Sequence, residues 1–305
     1  MTIVGAGLAG LLAAHALPRA RIVEMRARSG AEHKAVLRFR SPVVGEMTGI
    51  EFRPVTVRKG IWHEGQWREP NIQLANMYSQ KVLWRIADRS LWSTESVTRW
   101  IAPEDFYGRL VDSLDNRIDW NTPATFDGPE AVVSTAPMHV ALDAVGINTE
   151  GVEFAREPIH VRRFRVPACD VHQTVYFPTH RHGLYRASIT GDLLTCEFME
   201  SMSQDTTLWW DELHQAFNLR DWPIVPLDDA RQRYGKIAPI DDNTRRAFIN
   251  RLTDEHNVFS LGRFATWRNI LLDDVAHDIS VVKRLINASN YERRLVAAGS
   301  GNNGS

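Results

Sequence analysis

The chain has little cysteine: Cys169 and Cys196 are the only two among 305 residues. Two cysteines cannot build a disulfide framework, and neither belongs to a CxxC pair or a Cys/His cluster with metal-ligand spacing. His180 and His182 have a spacing that suits a metal, but no third ligand lies nearby in sequence, so a solvent-exposed turn is the better interpretation. We therefore expect a reducing, cytoplasmic setting and no metal site.

Long apolar runs and an excess of charge are also missing. No segment approaches the roughly 18 apolar residues of a membrane span, and the apolar residues 8–17 lack the basic region that precedes a signal-peptide core. Lysine and arginine number 36 against 37 aspartate and glutamate. This balance gives no argument for a membrane or nucleic-acid partner, although a local basic patch is compatible with nucleic acid. A hydrophobic fraction of 44% is typical of a soluble globular protein.

A dinucleotide fingerprint opens the chain. A short buried strand at residues 2–4 is followed by Gly5, Gly7 and Gly10 in the pattern GxGxxG and then by an apolar helix. The first glycine allows a tight turn, the second lets the backbone approach a pyrophosphate, and the third allows close packing of helix on strand. The helix N-terminus, at Leu8 and Ala9, then offers backbone N–H groups to phosphates.

Glu24 ends the next predicted strand, where a carboxylate accepts hydrogen bonds from ribose hydroxyls. The fingerprint does not separate NAD from FAD, but its continuation V-E-M-R-A-R-S-G at residues 23–30 resembles the extension found in the FAD-dependent amine oxidase and UDP-galactopyranose mutase superfamily. The resemblance implies FAD, with Met25 and Arg26 beside Glu24 at the adenosine end. Ala31 stands where the family has a second glycine. No cysteine or histidine occupies a recognised attachment motif, so we expect the FAD to be non-covalent.

Two later segments carry the same resemblance. Residues 131–137, A-V-V-S-T-A-P, are similar to a family strand that leaves the FAD domain, and residues 259–275 are similar to a segment that passes under the flavin. In the family the second segment leads to a helix N-terminus that points at the flavin, where its dipole stabilises negative charge. The cofactor contacts implied by these segments and by the loop after the extension are Arg40, Thr135, Gly262, Arg263, Asn269, Asp274 and Val275.

The order of predicted elements indicates an α/β fold. We expect a Rossmann-like FAD-binding domain, with a parallel sheet and helices, interleaved with a smaller substrate domain built on an antiparallel sheet. The FAD-binding domain is assigned residues 1–60, 103–150 and 236–298, and the substrate domain residues 61–102 and 151–235. Predicted strands of the latter are 160–166, 174–177, 185–190 and 194–198. The Gly/Ser/Asn-rich tail, residues 299–305, is expected to be disordered.

Four residues are candidates for catalysis. Arg186 either faces the flavin or a substrate anion, or forms an ion pair with Glu197 at a sheet edge. Lys236 either lies near flavin N5, or is an ordinary surface lysine. Trp267, in the flavin segment, and Tyr185 are expected to pack as aromatic walls on the ring or on the substrate.

The loop after the FAD extension is basic, with His33, Lys34, Arg38 and Arg40. In mutases this loop lines the active site, and basic residues there suit an anionic or nucleotide-linked small molecule. A solvated basic loop explains the same pattern equally well.

Three functions remain open on the sequence. The first is an amine oxidase-like FAD-dependent oxidoreductase that oxidises a C–N bond by hydride transfer to flavin N5, on a free, nucleotide-linked or DNA-linked amine. The second is a non-redox flavoenzyme acting on a nucleotide sugar, like UDP-galactopyranose mutase. The third is a dinucleotide-binding protein without turnover.

Overall fold

The computed structural model describes residues 1–30, 33, 37–87, 90–126, 128, 130–203 and 205–300. The strands of this part are β1 Thr2–Val4, β2 Arg21–Glu24, β3 Arg38–Phe39, β4 Arg53–His63, β5 Gln66–Arg68, β6 Val97–Ile101, β7 Ile118–Trp120, β8 Val132–Ser134, β9 Arg156–Arg165, β10 His172–Tyr176, β11 Leu184–Thr190, β12 Leu193–Met199, β13 Val225–Ile237 and β14 Val258–Ser260. The helices are α1 Leu8–Ala16, α2 Val43–Thr48, α3 Ile72–Leu83, α4 Phe106–Leu114, α5 Met138–Ala144, α6 Thr206–Phe217, α7 Asp242–His256 and α8 Leu272–Ser300.

Five short strands form a parallel sheet in the order β14-β8-β1-β2-β7. Ile3 faces a core made with α1, α4 and α8, whereas the next residue, Val4, faces a second core that contains residues of α5 and α7. Helices on both faces explain why these strands are apolar on both sides. The predicted Rossmann-like part of the fold is confirmed.

A second sheet contains nine strands, in the order β13-β9-β12-β11-β10-β4-β6-β3 with β5 paired to β4. It is mixed, because β10 runs parallel to β4 while its other pairs are antiparallel. One face packs on Trp209 and Leu213 of α6. On the other, α3 covers one part through Leu74 and Tyr78, and the remainder carries charged side chains, so we call it the polar face.

Most predicted elements are present within a residue or two of their expected ends, including β1, β2, α4, β10, β11, β12 and β14, whereas β9 begins four residues before its predicted start. The sequence analysis did not predict α7 or the thirteen residues of β13. The final helix continues through Ser300, while residues 301–305 of the predicted disordered tail lie outside the described residues.

Residues 38–63 supply β3 and β4 to the nine-stranded sheet, although residues up to 60 were assigned to the FAD-binding domain. Two consecutive residues of β4 are buried on opposite faces of that sheet, Ile61 against the α3 side and Trp62 against the α6 side. The division into domains stays a prediction. No described helix combines the length and the apolar character needed to cross a bilayer.

Candidate functional site

The glycine loop follows β1 at the carboxyl end of the parallel sheet. Gly5 has φ +98°, and a Cβ there would lie 2.6 Å from Thr135 Oγ1. A Cβ on Gly10 would lie 1.9 Å from the carbonyl oxygen of Gly5. The first position therefore needs glycine for its backbone conformation and the second for the close approach of α1 to β1.

Gly7 is different, because a Cβ at this position would meet nothing within 4 Å. Gly7 is the N-cap of α1, has an extended backbone, and provides no side-chain cap. The first backbone N–H groups of the helix, at Leu8 and Ala9, are therefore open to an anion at the positive end of the helix dipole. This open cradle fits the pyrophosphate of a dinucleotide.

Glu24, at the end of β2, is only 7% exposed. Its carboxylate accepts hydrogen bonds from the backbone N–H groups of Ala6 at 2.8 Å and Arg26 at 2.9 Å, and from the Arg26 guanidinium at 3.1 and 3.2 Å. Burial raises the pKa of Glu24, but these hydrogen bonds outweigh it and hold the pKa below its usual value. Glu24 is thus an ionised acceptor where a ribose is expected, while its neighbour Met25 is 76% exposed.

Two further strand ends meet the glycine loop. Thr135, just after β8, donates its hydroxyl hydrogen to the carbonyl oxygen of Val4 at 2.7 Å. Gly262, just after β14, has φ +89°, and a Cβ there would lie 2.8 Å from Ala9 Cβ. Arg263 follows at the same edge. Ligands of open α/β sheets bind at this carboxyl edge, so the structure brings these predicted cofactor residues together.

Two aspartates in the first turn of α8 bind neighbouring parts of this chain. Asp273 accepts hydrogen bonds from the backbone N–H groups of Arg40 and Ser41, both at 3.0 Å. Asp274 forms an ion pair with the Arg40 side chain and accepts a hydrogen bond from the backbone N–H of Leu271 at 2.8 Å. Burial raises the pKa of Asp274, but the Leu271 N–H and Arg40 outweigh it, so the pKa is below its usual value. The loop that precedes α2 is thereby tied to α8. Val275 is buried there and Asn269 is exposed; their flavin contacts stay predictions.

Three of the four candidate catalytic residues gather around Glu197 on the polar face. Arg186 is opposite Glu197 on neighbouring strands, and its Nη2 donates to Glu197 Oε1 at 2.7 Å. Lys236 Nζ lies 4.2 Å from the centre of the Tyr185 ring, and its charge acts on Glu197. We call Arg186, Glu197, Tyr185 and Lys236 the Glu197 cluster.

The Glu197 cluster is buried: Glu197 is 2%, Lys236 7% and Tyr185 0% exposed. Burial raises the pKa of Glu197, but Arg186 and then Lys236 outweigh it and lower the pKa. Burial, and then Glu197, raise the pKa of Tyr185 well above its usual value. Glu197 is therefore ionised and Tyr185 neutral. The ion pair lies inside the sheet, not at its edge, and Lys236 is not a surface lysine.

The basic loop also turns toward the polar face. Arg38 donates to the carbonyl oxygen of Ile189 at 2.9 Å and to Thr190 Oγ1 at 2.7 Å; burial and then Arg186 lower its pKa to about 10. Burial lowers the pKa of His33 to about 4, against the opposing charge of Glu197. These two side chains are therefore not solvated, as they would be in an exposed loop. Lys34 lies outside the described residues.

A cavity of about 390 Å³ lies between Tyr107 of α4 and one end of the polar face. Tyr107 of α4 lines it on one side and donates its hydroxyl hydrogen to the carbonyl oxygen of Ala6 at 2.9 Å. Arg163, Thr195 and His33 line it on the other. Sequence reasoning missed Tyr107, since nothing distinguishes it from the apolar residues beside it on α4.

Trp267 lies in the core instead of the cavity. It is 1% exposed, packs 5.0 Å from the Phe154 ring, and donates its indole N–H to the carbonyl oxygen of Ala238 at 2.8 Å. This position does not support the predicted contact of Trp267 with flavin or substrate, which stays a prediction. Within the described residues, no group of three or more His, Cys, Asp or Glu side chains is placed to hold a metal ion.

Solved structures of flavoenzymes and related proteins share this fold. The p-nitrophenol 4-monooxygenase of Pseudomonas putida aligns with a TM-score of 0.50 at 13% identity, over 95% of this chain and 80% of its own. A geranylgeranyl bacteriochlorophyll reductase-like protein from Thermoplasma acidophilum aligns at 0.52 and 12%, over 95% and 78%. Aklavinone-11 hydroxylase, solved with FAD and aklavinone, aligns at 0.51 and 12%, over 86% of this chain but only 56% of its own.

No family model matches the chain, and no curated protein matches it either. At such low identities, the likeness to solved structures concerns the fold. The resemblance to amine oxidases and mutases is therefore not confirmed. What the solved structures do confirm is a fold shared with FAD-containing oxidoreductases.

Proposed function

We propose that this chain is an oxidoreductase that binds FAD non-covalently and acts on a small molecule held at the polar face. One observation carries the proposal: the open cradle at Gly7, with the buried Glu24 beside it, adjoins Tyr107, whose hydroxyl binds Ala6, and Tyr107 lines a cavity whose other wall, with Arg163 and Thr195, belongs to the polar face. A dinucleotide cradle beside a cavity with a charged wall is the arrangement expected where a cofactor and a substrate meet.

The residues that would hold the cofactor are those at the carboxyl edge of the parallel sheet. The backbone N–H groups of Leu8 and Ala9 would bind the pyrophosphate, and Glu24 would accept hydrogen bonds from the adenosine ribose. Bound FAD would supply the ability to accept or donate a hydride, which no side chain of the protein possesses.

The charges of the polar face favour a substrate with an anionic group. Arg38, Arg186 and Lys236 carry three positive charges against two carboxylates, those of Glu197 and of Glu157, which is opposite Lys236 on β9. About a third of the Arg186 side chain is exposed, at 32%, so its outer side is available to a carboxylate or phosphate. Glu197 would hold the guanidinium in place from behind.

The same charges bear on the bond that is oxidised, which we propose to be the C–N bond of an amine. A positively charged surface repels an ammonium ion and so favours the neutral amine, which is the form that can lose hydride from the adjacent carbon. The substrate that fits best is therefore an amine that also carries a carboxylate or phosphate. The buried cluster would orient this group and exclude water from its surroundings.

An anaerobic titration tests the proposal. The purified protein is expected to show flavin absorption that bleaches on addition of one member of a panel of amines, with acidic amines more effective than their methyl esters. The ester pairs are the matched control, because they remove the charge and leave the amine. Bleaching by esters and acids alike would overturn the anionic substrate, and a colourless protein that cannot be reconstituted with FAD would overturn the proposal as a whole.

A further inference from the structure

The strand β13 is irregular just before it reaches the Glu197 cluster. Its pairing with β9 shifts register between Gln232 and Lys236. Gly235 lies in this irregular stretch, where a Cβ would come within 2.4 Å of the Ile159 side chain. Such bulges change the direction in which neighbouring side chains point. Here the bulge separates Lys236, which is buried, from Arg233, which is exposed.

Two arginines contact the ring of Tyr234 in this bulge. The guanidinium carbon of Arg156 lies 4.9 Å and that of Arg233 5.8 Å from the ring centre. Both arginines are exposed, and within the described part of the chain neither side chain forms a hydrogen bond or an ion pair. Contact with an aromatic ring restrains a guanidinium while leaving its N–H donors free.

A histidine on α5 completes this group. The His139 ring lies 6.2 Å from the Tyr234 ring. Burial first, and then the charges of Arg156 and Arg233, lower the pKa of His139, against the smaller effect of Asp143 on the same helix. The local potential is therefore positive. We call His139, Arg156, Arg233 and Tyr234 the basic patch.

The basic patch borders the carboxyl edge of the parallel sheet. The Tyr234 ring packs 5.4 Å from the ring of Phe264, which follows Gly262 and Arg263 in the chain. Gly262 in turn approaches Ala9 of the glycine loop closely. An anion bound at the basic patch would thus lie beside the expected cofactor site, on a different side from the cavity lined by Tyr107.

We propose that the basic patch binds the phosphate of a nucleotide-linked substrate. Two guanidinium groups that contact the same tyrosine ring present forked N–H donors of the kind that match phosphate oxygens, and these donors have no hydrogen-bond partner among the described residues. This inference rests on the proposed function, since it names the class of substrate that the flavoprotein would oxidise. The basic patch is then a second anion site, apart from the Glu197 cluster, which would hold the acidic group nearer the amine.

Calorimetric binding to the FAD-saturated protein tests this assignment. Thymidine monophosphate and thymidine are the probes, because a pyrimidine avoids the adenosine site. The monophosphate is expected to bind at least about tenfold more tightly than the nucleoside, a difference of about 1.4 kcal/mol, because its phosphate accepts charge-assisted hydrogen bonds. The double variant Arg156→Gln/Arg233→Gln is expected to lose this difference and to keep its flavin content. Arg58→Gln, which changes an exposed arginine of β4, is the matched control.

Equal binding of nucleotide and nucleoside, or an unchanged preference in the double variant, would overturn the phosphate site. NADPH and NADH form a second pair: a loss confined to NADPH would assign the phosphate to a reductant and overturn the substrate assignment. Calorimetry does not need a flavin signal. If the protein takes up no FAD, the proposed function is refuted, while a loss of phosphate binding in the double variant but not in Arg58→Gln still assigns that binding to the basic patch.

Discussion

Gly7 and Gly10 belong to the same motif, but at the scale of the residue they have different tasks. A side chain at Gly7 meets no protein atom within 4 Å, so we expect Gly7→Val to fold normally and to fill the cradle in which the pyrophosphate would lie. The expected result is a melting temperature of the apoprotein within about 2 °C of the wild type, together with at least a tenfold loss of FAD affinity. Thermal unfolding and fluorescence titration with FAD measure the two quantities.

Gly10→Ala is the matched control. Its Cβ would collide with the Gly5 carbonyl at 1.9 Å, so α1 must move away from β1 and the protein itself should be destabilised, by several kcal/mol if the core cannot adjust. A Gly7→Val protein that binds FAD normally would show that the open N-terminus of α1 is not the cofactor cradle.

The residues of the dinucleotide motif were predictable because their tasks depend on local sequence. Gly5, Gly10 and Glu24 follow one another at fixed spacing through one strand–helix–strand unit, so the sequence alone places them. The Glu197 cluster depends instead on the pairing of β11 with β12 and on the bulge in β13. No local pattern records that pairing, and for this reason the sequence left both Arg186 and Lys236 with two interpretations.

At the scale of the element, a buried lysine fastens α3 to the hairpin formed by β10 and β11. Lys81 is 3% exposed, and its Nζ donates to the carbonyl oxygens of Phe177 at 3.0 Å, Thr179 at 2.7 Å and Leu184 at 2.6 Å. Lys81→Met keeps the apolar stem but leaves three buried carbonyl groups without this donor. We expect a loss of about 2–4 kcal/mol in the free energy of unfolding, measured by urea denaturation.

Lys283→Met, on the exposed side of α8, is the control for this substitution and should change stability by less than about 0.5 kcal/mol. Flavin content of the folded Lys81→Met protein should equal that of the wild type, since α3 does not reach the glycine loop. A variant as stable as the wild type would mean that water replaces the ammonium group without cost.

The elements that the sequence failed to predict share a physical reason. Helix α7 buries Phe248 and Leu252. Its apolar stripe is therefore too narrow to produce a clear helical period in the sequence. The long strand β13 is exposed over much of its first half and interrupted by its bulge, which removes the alternation expected of a strand. Elements with a wide buried face, such as α4 and β11, were predicted correctly.

At the scale of the whole molecule, aromatic side chains join the two sheets. Phe39 of β3 packs 4.7 Å from Phe52, just before β4, and Phe52 packs 5.1 Å from Phe106 of α4. All three belong to the core that α1 and α8 form with the parallel sheet. Ile237, at the end of β13, lies in the second core of that sheet. The two sheets therefore share buried surface on both faces of the parallel sheet.

Shared cores predict that the protein unfolds as one cooperative unit and that FAD stabilises all of it. A ligand that binds only the folded state adds RT ln(1 + [L]/Kd), which is about 2.7 kcal/mol at one hundred times the dissociation constant. We expect one calorimetric transition in the apoprotein, with a midpoint that rises steadily with FAD concentration in the wild type. In Gly7→Val the rise should be about half as large or less, because a tenfold loss of affinity leaves about 1.4 kcal/mol at the same FAD concentration. Two transitions, of which FAD shifts one, would contradict the expectation, because the nine-stranded sheet would then hold its fold without the aromatic contacts that join it to the parallel sheet.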